Sequence, residues 1–531
     1  MKRICVYLLT AVLMLSAGSA RAQFESVGSI NFETSGSAEA QQHFLRGVAI
    51  LHSFGFKQAR EEFQAAQKIE PEFAMAYWGE ALSYNHPLFV TQDIESPRKA
   101  LARLAATRDQ RVAMAPTEKE RGFLAAVETL FGEGSYTERA VGYMEQMRSL
   151  YERFPEESEV AAYYALSMLS ASNATQDKSQ RLNVRAGAIA LKLFRDNRNH
   201  PGAAHYTIHA FDNPVHAPLA LDAAYRFSEI APAVSHARHM PTHIFIQHGM
   251  WDRVSMNNQS AYDVSRELWK PGDSIGDGVH SLDWGQYGDL QRGDYAKGKE
   301  WINVLQSISE ESGNPAMSVI TISRLKARYV VETEKWKVAP VTSGLPSHEL
   351  LAIGLSASRT GNQDILKQVE TELTSMAEDS DRGGNPMAAM ARSAGGNYTK
   401  ISSLQVSALV KVYEGQAEAA LALLDEAEGI LLSMRPPNGP ASPIKPLHEL
   451  YGEILLELDQ PADAIEKFNT SLLRLPNRPR SLLGLARGYA KTGDYENART
   501  EYAKLAEVWS GRDDFVEMQE VRRFLETTDG Q

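Results

Sequence analysis

The 531-residue chain has one cysteine, Cys5, and it lies in the first few residues. If that segment is removed, as argued below, no disulfide, thiol nucleophile or thiolate metal site remains. Positive charge is also scarce: 55 Lys and Arg against 67 Asp and Glu give a net charge of −12. A protein that grips a phosphate backbone carries the opposite excess, so the balance argues against nucleic acid as a partner. No apolar run approaches the roughly 20 residues a membrane-spanning helix needs. The GxSxG elbow, the P-loop and GxGxxG are all missing. What remains, 43% hydrophobic and 23% charged, is the composition of a folded chain.

Residues 1–22 read as a secretory signal peptide. Lys2 and Arg3 precede an apolar stretch from Val6 to Ser16, and Ala20-Arg21-Ala22 is a small-x-small cleavage site. The expected mature chain starts at Gln23, is exported to the periplasm or beyond, and has lost Cys5. A polar lead-in over 23–39 is expected to be loosely held.

The chain then repeats. From Lys445, small or apolar residues fall at position 8 (Gly452), 11 (Leu455), 20 (Ala464), 24 (Phe468) and 27 (Ser471), with Pro476 at 32. A window 34 residues on, from Pro479, holds Ala486, Tyr489, Ala498 and Tyr502 at the first four of these positions, with Ala506 one residue past the fifth. Far upstream, the window from Ala40 holds Gly47, Ile50, Ala59, Phe63, Ala66 and Pro71. Small residues let two antiparallel helices approach, large ones fill the gaps, and proline ends the second helix. This resembles the tetratricopeptide repeat (TPR), which implies an all-α solenoid of stacked helix pairs. The segments Ala74-Met75-Ala76-Tyr77-Trp78-Gly79-Glu80-Ala81, Asn85-His86-Pro87-Leu88, Pro201-Gly202-Ala203-Ala204-His205-Tyr206 and His239-Met240-Pro241-Thr242-His243-Ile244-Phe245 extend the resemblance over nearly the whole chain. They are similar to a group of exported bacterial tetratricopeptide proteins of unassigned function. The expected organisation is a histidine-rich array over 40–339, further helical repeats over 340–434, a proline-rich linker over 435–446, and a C-terminal repeat pair with a capping helix over 447–531. Pro340–Pro346 and the glycine-rich Ser380–Asn397 are expected to interrupt the helices. The linker reads as a stiff inter-repeat loop, or as a strand lying across a groove or spacing two arrays.

Eight of the 14 histidines fall between His200 and His248. In the resembled family the first helix of each pair lines a concave groove through positions 2, 5, 9, 12 and 13. With Pro201 as position 1, His205, His209 and Asp212 take positions 5, 9 and 12. With Ser235 as position 1, His236, His239 and His243 take 2, 5 and 9. His52 and His86 both take 13. His205/His209 and His239/His243 are i, i+4 pairs, so each pair shares a helix face. Two such pairs on neighbouring helices can hold a divalent transition metal, with Zn, Fe, Cu or Ni suited to nitrogen ligands and one carboxylate. Pro241 is expected to kink the second helix. The candidate metal ligands are His205, His209, His236, His239, His243, His86 and Asp212, and the candidate partner-binding residues are His52, Tyr84 and Tyr206. His43, His280, His348 and His448 read as packed structural residues, His200 as a cap and His216 as a loop residue. His205–His209 lacks the glutamate of a HExxH helix, so any hydrolytic base must come from elsewhere, with Asp212, Glu80 and Asp283 as candidates. Two functions stay open: a scaffold holding a protein or peptide in its groove, and a metal-binding protein or metal-dependent enzyme, hydrolase or oxidoreductase, on the same scaffold.

Overall fold

The computed structural model describes residues 26–88, 93–381 and 386–528. The segment 1–22, read above as a leader, lies outside them. The described residues form helices and loops with no strand, and none of their helices is long and apolar enough to cross a membrane. The chain divides into two compact units. The first takes residues up to Asp212, with Pro218–Ile244 and Asp263–Glu267. The second takes Asn213–Ala217, Phe245–Tyr262 and the chain from Leu268 onward.

The first unit begins with α1 (Ala38–His52), α2 (Phe56–Ile69), α3 (Ala74–Leu82), α4 (Glu95–Leu104) and α5 (Arg108–Met114). Helices α6 (Glu118–Leu130), α7 (Tyr136–Arg153), α8 (Ser158–Ala174), α9 (Arg181–Asp196), α10 (Pro201–Ala210) and α11 (Leu221–Ile230) follow. It closes with α12 (Ser235–His239) and most of α13 (Pro241–Gln247). Starts are written locally: Thr117 with Glu120, and Ser135 with Glu138, form capping boxes at α6 and α7. Most consecutive helices pack against each other. One member of a pair is buried nearly all round, as in α3 and α10. The other is amphipathic: α2 buries Ala59, Phe63 and Ala66 at i, i+4 and i+7 and turns its charges outward.

The second unit holds α15 (Gly276–Gln291), α16 (Tyr295–Glu311), α17 (Ala316–Thr333), α18 (Ser347–Arg359), α19 (Gln363–Asp381) and α20 (Pro386–Tyr413). It ends with α21 (Ala417–Ser433), α22 (Leu447–Glu457), α23 (Pro461–Arg474), α24 (Pro479–Thr492), α25 (Tyr495–Val508) and α26 (Val516–Thr528). The helix between, α14, runs Trp251–Leu268. Helix α23 buries Ala464, Phe468 and Ser471 in the spacing of α2.

The repeat is visible as one contact made twice. In the first unit, Phe63 packs against Gly47 of its own repeat and Gly79 of the next; a methyl at Gly47 would lie 2.8 Å from the ring, and one at Gly79 closer still. In the second, Phe468 does the same with Gly452, again 2.8 Å, and with Gly484. The chain is an all-α stack of tetratricopeptide-like helix pairs.

Three expectations need correction. The lead-in is tied down: Phe32 is buried among Phe44, Trp78 and Phe123, with centroids 5.3, 5.9 and 5.0 Å away. The Ser35 N–H donates to Glu120 at 2.6 Å. Within 380–397 the described residues are helical, since α19 runs to Asp381 and α20 starts at Pro386. Met387-Ala388-Ala389-Met390-Ala391 are good helix formers, and they carry the helix over the glycines that follow. The segment 340–346 does interrupt the helices, but 435–446 is a loop within one unit and not a spacer between arrays, since one hydrophobic core in the second unit runs from Ala327 to Leu485 across it. The proline-rich loop lies on that unit, its Pro437 carbonyl accepting from Gln247 Nε2 at 2.9 Å and its Lys445 carbonyl from Gln405 Nε2 at 3.0 Å.

Candidate metal centre

Helix α10 begins on Pro201, whose fixed φ suits a first helical residue, and His200 caps it by accepting the Ala203 N–H on Nδ1 at 3.2 Å. One face of α10 then carries His205 and His209, with ring centroids 4.6 Å apart. Pro241 does divide the facing helix, into α12 and α13. Met240 between them keeps helical dihedrals (φ −54°, ψ −35°), so the path continues and His239 and His243 stay on one side. Their Nε2 atoms are 3.1 Å apart. His236, one turn earlier, brings its Nε2 to 3.2 Å from that of His205.

The five imidazoles close into a ring. Centroid distances around it are 4.6 Å (His205–His209), 5.9 Å (His209–His243), 5.1 Å (His243–His239), 6.2 Å (His239–His236) and 5.0 Å (His236–His205). One ligand atom from each of His205, His209 and His236 lies within 4.8 Å of the others. The Nε2 of His209 is buried and has no hydrogen-bond partner.

The other ring nitrogens show which tautomers are present. His205 Nδ1 lies 2.7 Å from the carbonyl of His52, which can only accept, so Nδ1 carries the proton and Nε2 offers its lone pair. His243 Nδ1 donates to Asp212 Oδ2 at 2.6 Å, with the same result. An imidazole whose outer nitrogen is held by a carbonyl or carboxylate is the usual arrangement behind a metal ion. Asp212 therefore stands behind His243 as its orienting group. Burial, followed by the charge of neighbouring imidazoles, pushes His205 and His209 well below the ordinary histidine range. At neutral pH they are uncharged and able to ligate.

An apolar wall that the repeat register did not indicate surrounds the ring. Phe54 lies edge-on to His205 at 4.4 Å and stacks on His236 at 5.2 Å, while Phe227 stacks on His205 at 5.0 Å. Phe54 is held at φ +57°, a left-handed conformation that costs a non-glycine residue about 1–2 kcal/mol. Strain of this kind gathers at functional sites. The only local hint in the sequence is the Ser53-Phe54-Gly55 turn between α1 and α2.

Two of the three partner-binding candidates are corrected. His52 and Tyr206 are fully buried and cannot touch a partner. Helix α1 ends against α8 and α10, which cover the face the register left open. The Tyr206 hydroxyl lies 2.7 Å from His52 Nδ1, and His52 Nε2 donates to Glu159 Oε2 at 2.6 Å. His200 Nε2 stands 3.1 Å from the other oxygen of Glu159. Burial works to raise the Glu159 carboxyl, but the two imidazoles outweigh it and hold it at about 2. The same burial pushes His52 down against the pull of Glu159. This inner network fixes the His52 backbone whose carbonyl holds His205. Gly202 makes room for it, since a methyl there would lie 2.5 Å from His52 Nδ1.

Tyr84 sits under the Arg60 guanidinium at 3.8 Å, and His86 packs on Phe56 at 4.3 Å. The group of imidazole ligands formed by His205, His209 and His236 does not include His86. Of the suggested bases, Glu80 is buried and held by Gln64, Gln67 and Arg103, and Asp283 is paired with Arg324 and Arg328. His43, His348 and His448 bond to Glu62, Ser323 and Glu428. His216 bonds to Asn213 in its loop.

The sequence matches no protein-family model and no curated protein. Among solved structures it is similar to the Cut9–Hcn1 hetero-tetramer of the APC/C (11% identity, 97% of this chain and 81% of that one, TM-score 0.32). It is also similar to yeast Tom70 (10%, 93% and 96%, 0.29) and to the TPR domain of P58(IPK) (12%, 93% and 100%, 0.21). The tetratricopeptide-like architecture rests on the helix pairs and their glycine–phenylalanine contacts.

Proposed function

We propose that this protein is an exported, tetratricopeptide-like scaffold that binds a divalent transition metal at the ring formed by His205, His209, His236, His239 and His243. The observation that carries this reading is the combination of converging Nε2 atoms with Nδ1 atoms already committed to a carbonyl and a carboxylate. The close Nε2 pairs are also at hydrogen-bond distance, so the reading draws besides on the buried Nε2 of His209, which has no partner. All-imidazole donors suit Zn, Cu, Ni or Fe, and they disfavour Mg and Ca, which prefer oxygen. Tag-free protein incubated with Zn(II) and dialysed is expected to retain it at or above one equivalent by elemental analysis. His205→Ala with His243→Ala is expected to abolish retention, and Asp212→Asn to weaken affinity by roughly 10–100-fold. Wild-type protein that emerges metal-free after loading would end the proposal.

A second reading, a groove for a protein or peptide, draws on the second unit. Positions 2, 5, 9, 12 and 13 of the last full repeat are Arg480, Leu483, Arg487, Ala490 and Lys491, and all five line one cavity of about 550 Å³. That size is within the range of ligand sites. Its basic side chains already pair with Glu517, Glu520 and Asp459, so an incoming ligand must compete with them.

A further inference from the structure

The metal reading leaves open how many ions the ring holds, and the spacing of the imidazoles bears on this. An ion bound at about 2.0–2.1 Å from each nitrogen places tetrahedral ligand atoms roughly 3.4 Å apart. Adding the distance from nitrogen to ring centre, two imidazoles on one ion have centroids about 5 Å apart. Three of the five neighbouring distances fit: 4.6 Å for His205–His209, 5.0 Å for His205–His236 and 5.1 Å for His239–His243. The wider distances are 5.9 Å for His209–His243, 6.2 Å for His236–His239 and 6.3 Å for His209–His236, so the ring centres alone do not divide the five. The nitrogens do: the ligand atoms of His205, His209 and His236 lie within 4.8 Å of one another, and each side has one close Nε2 pair, at 3.2 and 3.1 Å. The ring is too wide for one ion to reach every member, and its two narrow parts each match the bite of an ion.

Resting on that reading, we infer that the centre holds two metal ions, one on His205, His209 and His236 and the other on His239 and His243. Paired ions in proteins stand about 3.5–4 Å apart. His209 and His236 are half-buried and can rotate to close the 4.8 Å spread of the three-histidine group. Each group has its own anchor, the His52 carbonyl behind His205 and Asp212 behind His243.

Zn(II) titration of tag-free protein, followed by dialysis and elemental analysis, is expected to saturate at two ions per chain. The double variants His205→Ala/His236→Ala and His239→Ala/His243→Ala are each expected to saturate at one. Cu(II)-loaded wild type, which needs no variant to fold, is expected to show a spin-coupled signal by electron paramagnetic resonance, with far less intensity than the copper content. Saturation at one Zn(II), together with an isolated full-intensity Cu(II) signal, would overturn the two-ion inference while leaving a metal centre. Retention of no metal by wild type would remove both.

Discussion

Arg478→Met is expected to destabilise the second unit by about 3–5 kcal/mol, measured by urea unfolding at neutral pH. Arg478 has no exposed surface. Its guanidinium donates to both oxygens of Glu332, at 2.9 and 3.1 Å, and to both of Glu449, at 2.7 and 3.0 Å. Glu449 also takes Lys445 Nζ at 2.9 Å and the Ser481 hydroxyl at 2.7 Å. One cation thus clamps two buried carboxylates from α17 and α22. Removing one partner of such a cluster leaves charge uncompensated in a low dielectric, and that cost exceeds the net value of the intact pair. Arg478→Lys keeps the charge but loses the fork, and should recover only part of the loss. The pH dependence gives a second check. Burial works to raise the Glu449 carboxyl, but Arg478 and Lys445 outweigh it and hold it far below the ordinary 4.5. In the wild type this group therefore adds stability above pH 4.5, and the gain is lost as pH falls below that value. In Arg478→Met the stranded carboxylates gain from protonation, so the deficit should shrink between pH 7 and pH 4.5. A deficit under 1 kcal/mol, or one that grows on acidification, would show that the clamp does not hold these helices.

Short-range sequence signals foretold the repeat and the histidine pairs, because both depend on spacing along one helix. Gly452 and Phe468 at positions 8 and 24, and His205/His209 at i, i+4, need no knowledge of the rest of the chain. The supports of the centre could not be read this way. The carbonyl that orients His205 belongs to His52, 153 residues earlier, and a backbone atom leaves no mark in composition. Glu159, which pins His52, lies on a different helix again. The register also misplaced His52. It assumes that the inner face of each first helix is open, whereas α8 and α10 close over it at α1. Pro241 was legible as a break, but not the helical Met240 that keeps His239 and His243 in phase across it.

Phe468→Ala and Gly484→Ala should each destabilise the protein, yet the double variant should be more stable than Phe468→Ala alone, or equal to it. Phe468 is fully buried, and truncating such a ring costs about 3–5 kcal/mol through lost transfer energy and the cavity left behind. Gly484 lies in the interior of α24, where alanine is intrinsically better than glycine by about 1 kcal/mol. In the wild type that preference is overridden, because the new methyl would fall on Cζ, Cε1 and Cε2 of Phe468. Overpacking of this kind costs about 1–3 kcal/mol. Once the ring is gone, the same methyl occupies part of the cavity and the helix preference is recovered. The interaction energy of the cycle should therefore be about 2 kcal/mol or more in favour of the double variant, far above the few tenths seen for independent sites. The pair Phe63 and Gly79 makes the same contact in the first unit and should give a cycle of the same sign. Additive losses at both places would mean that the phenylalanine at position 24 is not wedged against the next repeat, and the stacked-pair account of the fold would fail with it.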